Sequence, residues 1–181
     1  DNSTGTYGIY AKNDKTNYAN ATSTVKHSGN IDLSNAKSSV GIYTENSALT
    51  SNGNISVGKD SIAVSAKNSD VDVAAGTYNI AFKIADLGSK TFKGNAGTLN
   101  LGEDSIAYYL KNSNITPSNF IDKLTINPTG KYTYLYAEDS IVNYKNQKTI
   151  NSDDSIFAYA KNSDVTFETG NDISSNNKKV T

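Results

Sequence analysis

The side chains able to do chemistry in this chain are few, and its acids come closest to a reactive arrangement. Asp70 and Asp72 stand two apart, while Glu103 with Asp104 and Asp153 with Asp154 are adjacent. On a strand, residues two apart share a face and neighbours point opposite ways, so only Asp70 and Asp72 could grip one calcium ion together. Neighbouring segments repeat no third ligand, and the glycine-aspartate nonapeptide of calcium-binding β-rolls is absent. Glycoside cleavage or polysaccharide elimination needs convergent carboxylates, often with a metal or basic group beside them, and no such set is visible. His27 is the single histidine, has no serine or cysteine nucleophile motif around it, and is expected in a loop. With no cysteine there is neither a disulfide framework nor a thiolate metal site. The expectation is a protein with no catalytic residue, no metal and no cofactor.

The elements that must position these side chains follow from an internal repeat. Ser61 to Val71 (SIAVSAKNSDV) returns as Ser105 to Ile115 (SIAYYLKNSNI) and again as Ser155 to Val165 (SIFAYAKNSDV). Weaker copies lie at 5–14, 39–49, 79–89 and 132–142. Anchoring each copy on its turn residue gives Asn13, Asn46, Asn68, Asp86, Asn112, Asp139 and Asn162, at spacings of 33, 22, 18, 26, 27 and 23. Self-similarity at such a period means stacked units that cannot bury their apolar faces alone. Inside each copy the apolar residues alternate, as in Ile62, Val64 and Ala66, which is the rhythm of a strand. No run carries helical spacing over helical length. A second short strand such as Val71–Val73 follows each turn, and a third follows Gly or Asn, as in Gly53-Asn54-Ile55-Ser56-Val57. The predicted architecture is all-β: a right-handed parallel β-helix of about seven coils with three short strands each, forming one solenoid segment over 1–181.

Composition agrees with that architecture. The 24 asparagines, with many Ser, Thr and Gly, supply turn chemistry. The 36% of apolar residues suffice for a narrow core when they occupy every second strand position. All 17 basic residues are lysines and the net charge is -1, which offers no basic field for nucleic acid and no guanidinium fork for phosphate. No membrane-length apolar run is present, so this segment is not expected to insert into a membrane. The start and finish within repeat-like sequence suggest a slice of a longer chain.

The iterated Ser-Ile-Ala-x-x-Ala-Lys-Asn-Ser-x-Val unit, with Gly-Asn-Ile-x-Val between copies, resembles the passenger of a bacterial type V autotransporter, in particular long adhesins of low-GC anaerobic Gram-negative bacteria. The resemblance spans nearly the whole chain and concerns repeat style. It implies export through the outer membrane, display on the bacterial cell surface, and a parent chain anchored by an outer-membrane β-barrel. It also implies adhesion to host cells or other bacteria through a surface protein or a glycan.

The rows of the repeat can be assigned to faces. Six and four residues before the anchor stand Tyr7, Val40, Ile62, Ile80, Ile106, Thr133, Ile156 and Ile9, Ile42, Val64, Phe82, Tyr108, Leu135, Ala158, both expected inward. The row two before the anchor, mostly alanine, is expected at a tight inner corner. The row three before then faces solvent and reads Tyr10, Tyr43, Ser65, Lys83, Tyr109, Tyr136, Tyr159. Tyr134 and Phe157, two residues earlier, are expected to join Tyr109, Tyr136 and Tyr159 in one exposed aromatic face, the candidate binding surface. The enlarged spacings at 14–28 and 114–130 are expected to bulge as loops. The alternatives are a carbohydrate-active β-helical enzyme, of polysaccharide lyase or glycosidase type, and a purely structural spacer.

Overall fold

A computed structural model describes residues 4–17, 23–79, 82–146, 148–168 and the backbone of 173–174. Among them there is no helix, and 22 short strands follow one another around stacked coils. The first coil holds β1 (Tyr7–Lys12), β2 (Thr24–His27) and β3 (Asn30–Leu33), and the second β4 (Val40–Glu45), β5 (Ala48–Ser51) and β6 (Asn54–Val57). The third holds β7 (Ile62–Lys67), β8 (Asp70–Val73) and β9 (Thr77–Asn79), and the fourth β10 (Phe82–Ala85), β11 (Phe92–Gly94) and β12 (Thr98–Leu101). The fifth has an extra strand: β13 (Ser105–Lys111), β14 (Asn114–Ile115), β15 (Phe120–Asp122) and β16 (Thr125–Pro128). The sixth holds β17 (Tyr132–Glu138), β18 (Ile141–Tyr144) and β19 (Lys148–Thr149), and the last β20 (Ile156–Lys161), β21 (Asp164–Phe167) and β22 (Ile173–Ser174).

Among the described residues every strand pairing is parallel and joins one coil to the next. The first sheet runs β1-β4-β7-β10-β13-β17-β20, the second β2-β5-β8-β11-β15 and the third β3-β6-β9-β12-β16. The molecule is a parallel β-solenoid of about six turns with three strand sheets. Beyond β15 the second sheet stops, and β14-β18-β21 takes over that side. The change falls where 116–119 bulges between β14 and β15, within the predicted loop at 114–130. The other predicted bulge, at 14–28, includes residues 18–22, which lie outside the described set.

The corners explain why the chain turns where it does. Asn46, Asn68, Asp86, Asn112, Asp139 and Asn162 all adopt the left-handed conformation, with φ between 44° and 53°. Asn and Asp tolerate that region because their short polar side chains bond locally. Their amides stack into a ladder: Asn68 Nδ2 donates to Asn46 Oδ1 at 2.7 Å, and Asn112 to Asp86 in the same way. A serine follows most of them and stitches two coils together. Ser113 Oγ donates to Lys111 O at 2.8 Å while accepting from Leu87 N, and Ser69 and Ser140 repeat the pattern. The opposite ends of three first-sheet strands turn in the same way, with Asp60, Asp104 and Asp154 left-handed ahead of Ser61, Ser105 and Ser155, and Ser61 Oγ accepts from Ser39 N while donating to Lys59 O. Buried backbone donors at the corners are thus satisfied without water.

The core corrects one row of the sequence reading. The row four before the anchor is inward as expected, with Ile42, Val64, Phe82, Tyr108 and Leu135 no more than 1% exposed. The row six before it is not: Val40, Ile62, Ile106, Thr133 and Ile156 are half-buried and Tyr7 is 48% exposed, while Ile80 lies outside the described residues. The row five before takes its place, with Gly41, Ala63, Ala107, Tyr134 and Phe157 buried. The ladder explains the exchange. Val40 pairs with Ile62 and Ile42 with Val64, but Gly41 and Ala63 have no ladder pairing, and the same gap recurs between Thr133 and Leu135. The strand bends there, so two consecutive residues turn inward and strict alternation fails. Early in the stack this row has no room, since a Cβ on Gly41 would lie 2.3 Å from the Ile55 side chain and 2.6 Å from Ala63 O. Beyond the bulge of the fifth coil the interior is wider, and Tyr134 and Phe157 fill it.

Candidate functional site

The outward side of the first sheet carries the aromatic ladder. Tyr136 and Tyr159 stack with ring centroids 5.0 Å apart, and Tyr109 lies 5.2 Å from Tyr136 at a tilt. Tyr159 is 47% exposed, and Tyr109 and Tyr136 are half-buried. Their register is set by the sheet, which places Tyr109 beside Tyr136 and Tyr136 beside Tyr159. Tyr134 and Phe157, predicted to extend this face, lie inside the solenoid at 0% and 6% exposure, because the strand bends at their row. A second cluster stands at the other end of the same row: Tyr10 stacks on Tyr43 at 5.0 Å, with Tyr7 edge-on to both.

A charged row borders the ladder and fixes its polar tips. Glu45 is bracketed by Lys12 at 3.1 Å and Lys67 at 3.3 Å, and Glu138 by Lys111 at 3.4 Å and Lys161 at 3.2 Å. The Tyr43 hydroxyl donates to Glu45 Oε2 at 2.9 Å, and the Tyr109 hydroxyl donates to Glu138. The Tyr109 bond, followed by Lys161, holds the Glu138 carboxyl down at about 2. Burial first, and then that carboxylate, push the Tyr109 phenol up to about 12. Both tyrosines therefore present a fixed ring with its proton committed.

Between the two clusters the row drops to Ser65 and Lys83, leaving a groove of about 600 Å³ walled by Tyr43 on one side and by Lys111 and Asn112 on the other. Ala85 occupies the charged row here, between Lys67 and Lys111. Lys83 Nζ lies 5.5 Å from the centroid of the Tyr109 ring.

The interior holds polar groups that the sequence reading missed. In the second sheet one inward row places His27 beside Ser51, Ser51 beside Val73, Val73 beside Gly94 and Gly94 beside Asp122. Alternation in Phe120-Ile121-Asp122, with Phe120 inward, is the signal that could have found Asp122. His27 is not in a loop: it ends β2, is 7% exposed, and shares a 2.8 Å hydrogen bond with Ser51 Oγ. The Tyr78 hydroxyl donates to Ala75 O at 2.8 Å, so Ser51 donates to Tyr78 and His27 Nδ1 carries the proton given to Ser51. Its buried Nε2 has no hydrogen-bond partner among the described residues, and burial lowers the pKa of the ring.

At the other end Asp122 forms the centre of a larger network. Its Oδ2 accepts from Lys148 Nζ at 2.7 Å and from the Tyr134 hydroxyl at 2.6 Å, while Oδ1 accepts from Leu124 N at 2.9 Å. Lys148 also donates to Leu124 O at 2.7 Å, and the Tyr144 hydroxyl lies 2.9 Å from that of Tyr134. Burial, with the nearby Asp122 charge, raises the phenol pKa of both Tyr134 and Tyr108. An open groove of about 620 Å³ runs past this network between Leu124 and Thr149. Asp122 is among the residues that line it, yet its side chain is 0% exposed. The acidic pair Asp70 and Asp72 does not converge on an ion: Asp70 accepts from Thr91 N at 2.9 Å and pairs with Lys90, and Asp72 accepts from Asn95 Nδ2 at 2.7 Å. Among the described residues no group of three or more acids or histidines is placed to hold a metal. Comparison with protein-family models, curated proteins and solved structures finds no match to this chain.

Proposed function

We propose that this chain is a segment of a surface-displayed bacterial passenger, of the autotransporter adhesin kind, that binds without catalysis to a protein or glycan on host cells or other bacteria. One observation carries the reading: Tyr109, Tyr136 and Tyr159 form a continuous strip of touching rings, the first pair tilted and the second stacked, on the outer side of a sheet whose core is filled by other rows. The fold does not need aromatic side chains there, and exposed tyrosines offer flat apolar area with a polar tip. The repeat style supports the passenger assignment, with export through the outer membrane and anchoring by a barrel elsewhere in the parent chain.

The enzyme alternative has the Asp122 and Lys148 network as its best support, since both side chains lie beside a groove. Their bonds argue for a structural role, because three donors take up most of the acceptor capacity of the carboxylate and its side chain is 0% exposed. The spacer alternative is weakened by the two tyrosine clusters on one face. Beads coated with the chain should attach to host cells or partner bacteria above uncoated beads, and a panel of acidic and neutral polysaccharides should show no turnover with or without calcium. Turnover abolished by Asp122→Asn would replace the adhesin with an enzyme.

A further inference from the structure

The gap in the tyrosine row has the chemistry of a ligand site. From Tyr43 through Ser65 and Lys83 to Tyr109 is three rungs, about 14 Å at the spacing of a sheet. The groove of about 600 Å³ lies within the range of small-molecule sites, roughly 300–1,000 Å³. Its lysines differ in one respect. Lys67 is committed to Glu45 and Lys111 to Glu138, whereas Lys83 has no carboxylate partner among the described residues and rests over an aromatic face. The site also has acceptors, since Asp86 and Asp139 line it with Asn112.

We infer that this groove binds a carboxylate-bearing saccharide, with the sugar carboxylate on Lys83, the apolar ring face against Tyr43, and hydroxyls donating to Asp86 or Asp139. The inference rests on the adhesive reading of this face and names a ligand class for it. The mixed charge selects against an acidic peptide. One unpaired cation accommodates one carboxylate, and the two aspartates repel further charge while accepting hydroxyl protons. A neutral sugar would leave the Lys83 ammonium without a charged partner and forgo a charge-assisted bond.

The test uses a hyaluronan tetrasaccharide as probe, with chitotetraose and tetraglutamate as neutral and acidic-peptide comparators, measured by titration calorimetry on the whole chain. Two substitutions fill the gap with what the same rows carry elsewhere: Ser65→Tyr extends the aromatic ladder by one rung from Tyr43, and Ala85→Glu completes the lysine–glutamate row. Lys83→Gln removes the charge alone. Saturable binding of the hyaluronan probe is expected, with each of the three variants weakening it about tenfold or more at an unchanged melting temperature. If Ser65→Tyr fails to fold, Ala85→Glu and Lys83→Gln decide the outcome. Absence of binding by the parent, equal binding of either comparator, or undiminished binding by Ala85→Glu and Lys83→Gln each overturns the inference. Bead attachment lost with Tyr136→Ser and Tyr159→Ser, alongside no hyaluronan binding, would retain the adhesive face and discard this groove alone.

Discussion

Lys148, on the sixth coil, places its Nζ 2.7 Å from Oδ2 of Asp122, on the fifth, and the two side chains are 8% and 0% exposed. The pair sits where the second sheet ends at β15, and Lys148, at the start of β19, also donates to Leu124 O, tying the sixth coil to the fifth. Removing one member leaves a buried charge uncompensated, which costs about 3–5 kcal/mol. Lys148→Met should therefore lower unfolding free energy by about that much in urea titrations. A loss below about 1 kcal/mol would mean that water reaches the carboxylate.

The faces of the sixth coil separate cleanly in energy. Tyr134 is fully buried and donates to Asp122, so Tyr134→Ala should cost about 3–5 kcal/mol through the cavity and the lost bond. Tyr136, two residues on, is half-buried on the outer face and loses its ladder contacts to Tyr109 and Tyr159, about 0.2–1 kcal/mol per pair. Denaturant midpoints for the two variants should rank in that order, and equal losses would contradict the inward turn of the strand.

The left-handed corners predict a contrast between two small residues. Asn68 has φ of 44°, which alanine adopts at a cost of about 1–2 kcal/mol and glycine adopts freely. Both substitutions remove the same amide bond to Asn46, so Asn68→Ala should be less stable than Asn68→Gly by that margin in thermal or chemical unfolding. Equal stabilities would place the strain elsewhere.

The Tyr109 and Glu138 pair gives a pH dependence at both extremes. Glu138 is held at about 2, below its ordinary 4.5, so its contribution is present above pH 4.5 and is lost as pH falls through 2. The Tyr109 phenol is raised to about 12 from 10, so its contribution is present below pH 10 and is lost as pH rises from 10 to 12. Tyr109→Phe should flatten both limbs of a melting-temperature profile relative to the parent. Unchanged limbs in that variant would assign the pH dependence to other groups.

The solenoid was legible because its signals are local and repeated. Asn68, Asn112 and Asn162 mark left-handed corners, and Val64 and Tyr108 mark an inward row, each in a short stretch that recurs. What failed was a non-local property. Tyr134 and Phe157 turn inward because the strand bends at their row and the interior widens after the bulge at 116–119, and a window of alternating residues records neither fact. The Asp122 and Lys148 pair joins residues 26 apart on different coils. Asp122 ends β15 in the second sheet and Lys148 begins β19 in another, so no repeated row of the sequence links them. The outward row of Tyr109, Tyr136 and Tyr159 was legible because it lies beside the conserved spacing of the corner within the repeat itself.

Attachment of beads carrying the double variant Tyr136→Ser and Tyr159→Ser tests the adhesive face most directly. Both rings lie outside the core, so the variant should keep the cooperative melt and β-rich circular dichroism of the parent. A few aromatic residues dominate most interfaces, so attached beads per cell should fall about tenfold or more. Attachment equal to the parent, with the fold intact, would contradict the claim that this tyrosine strip is the binding surface.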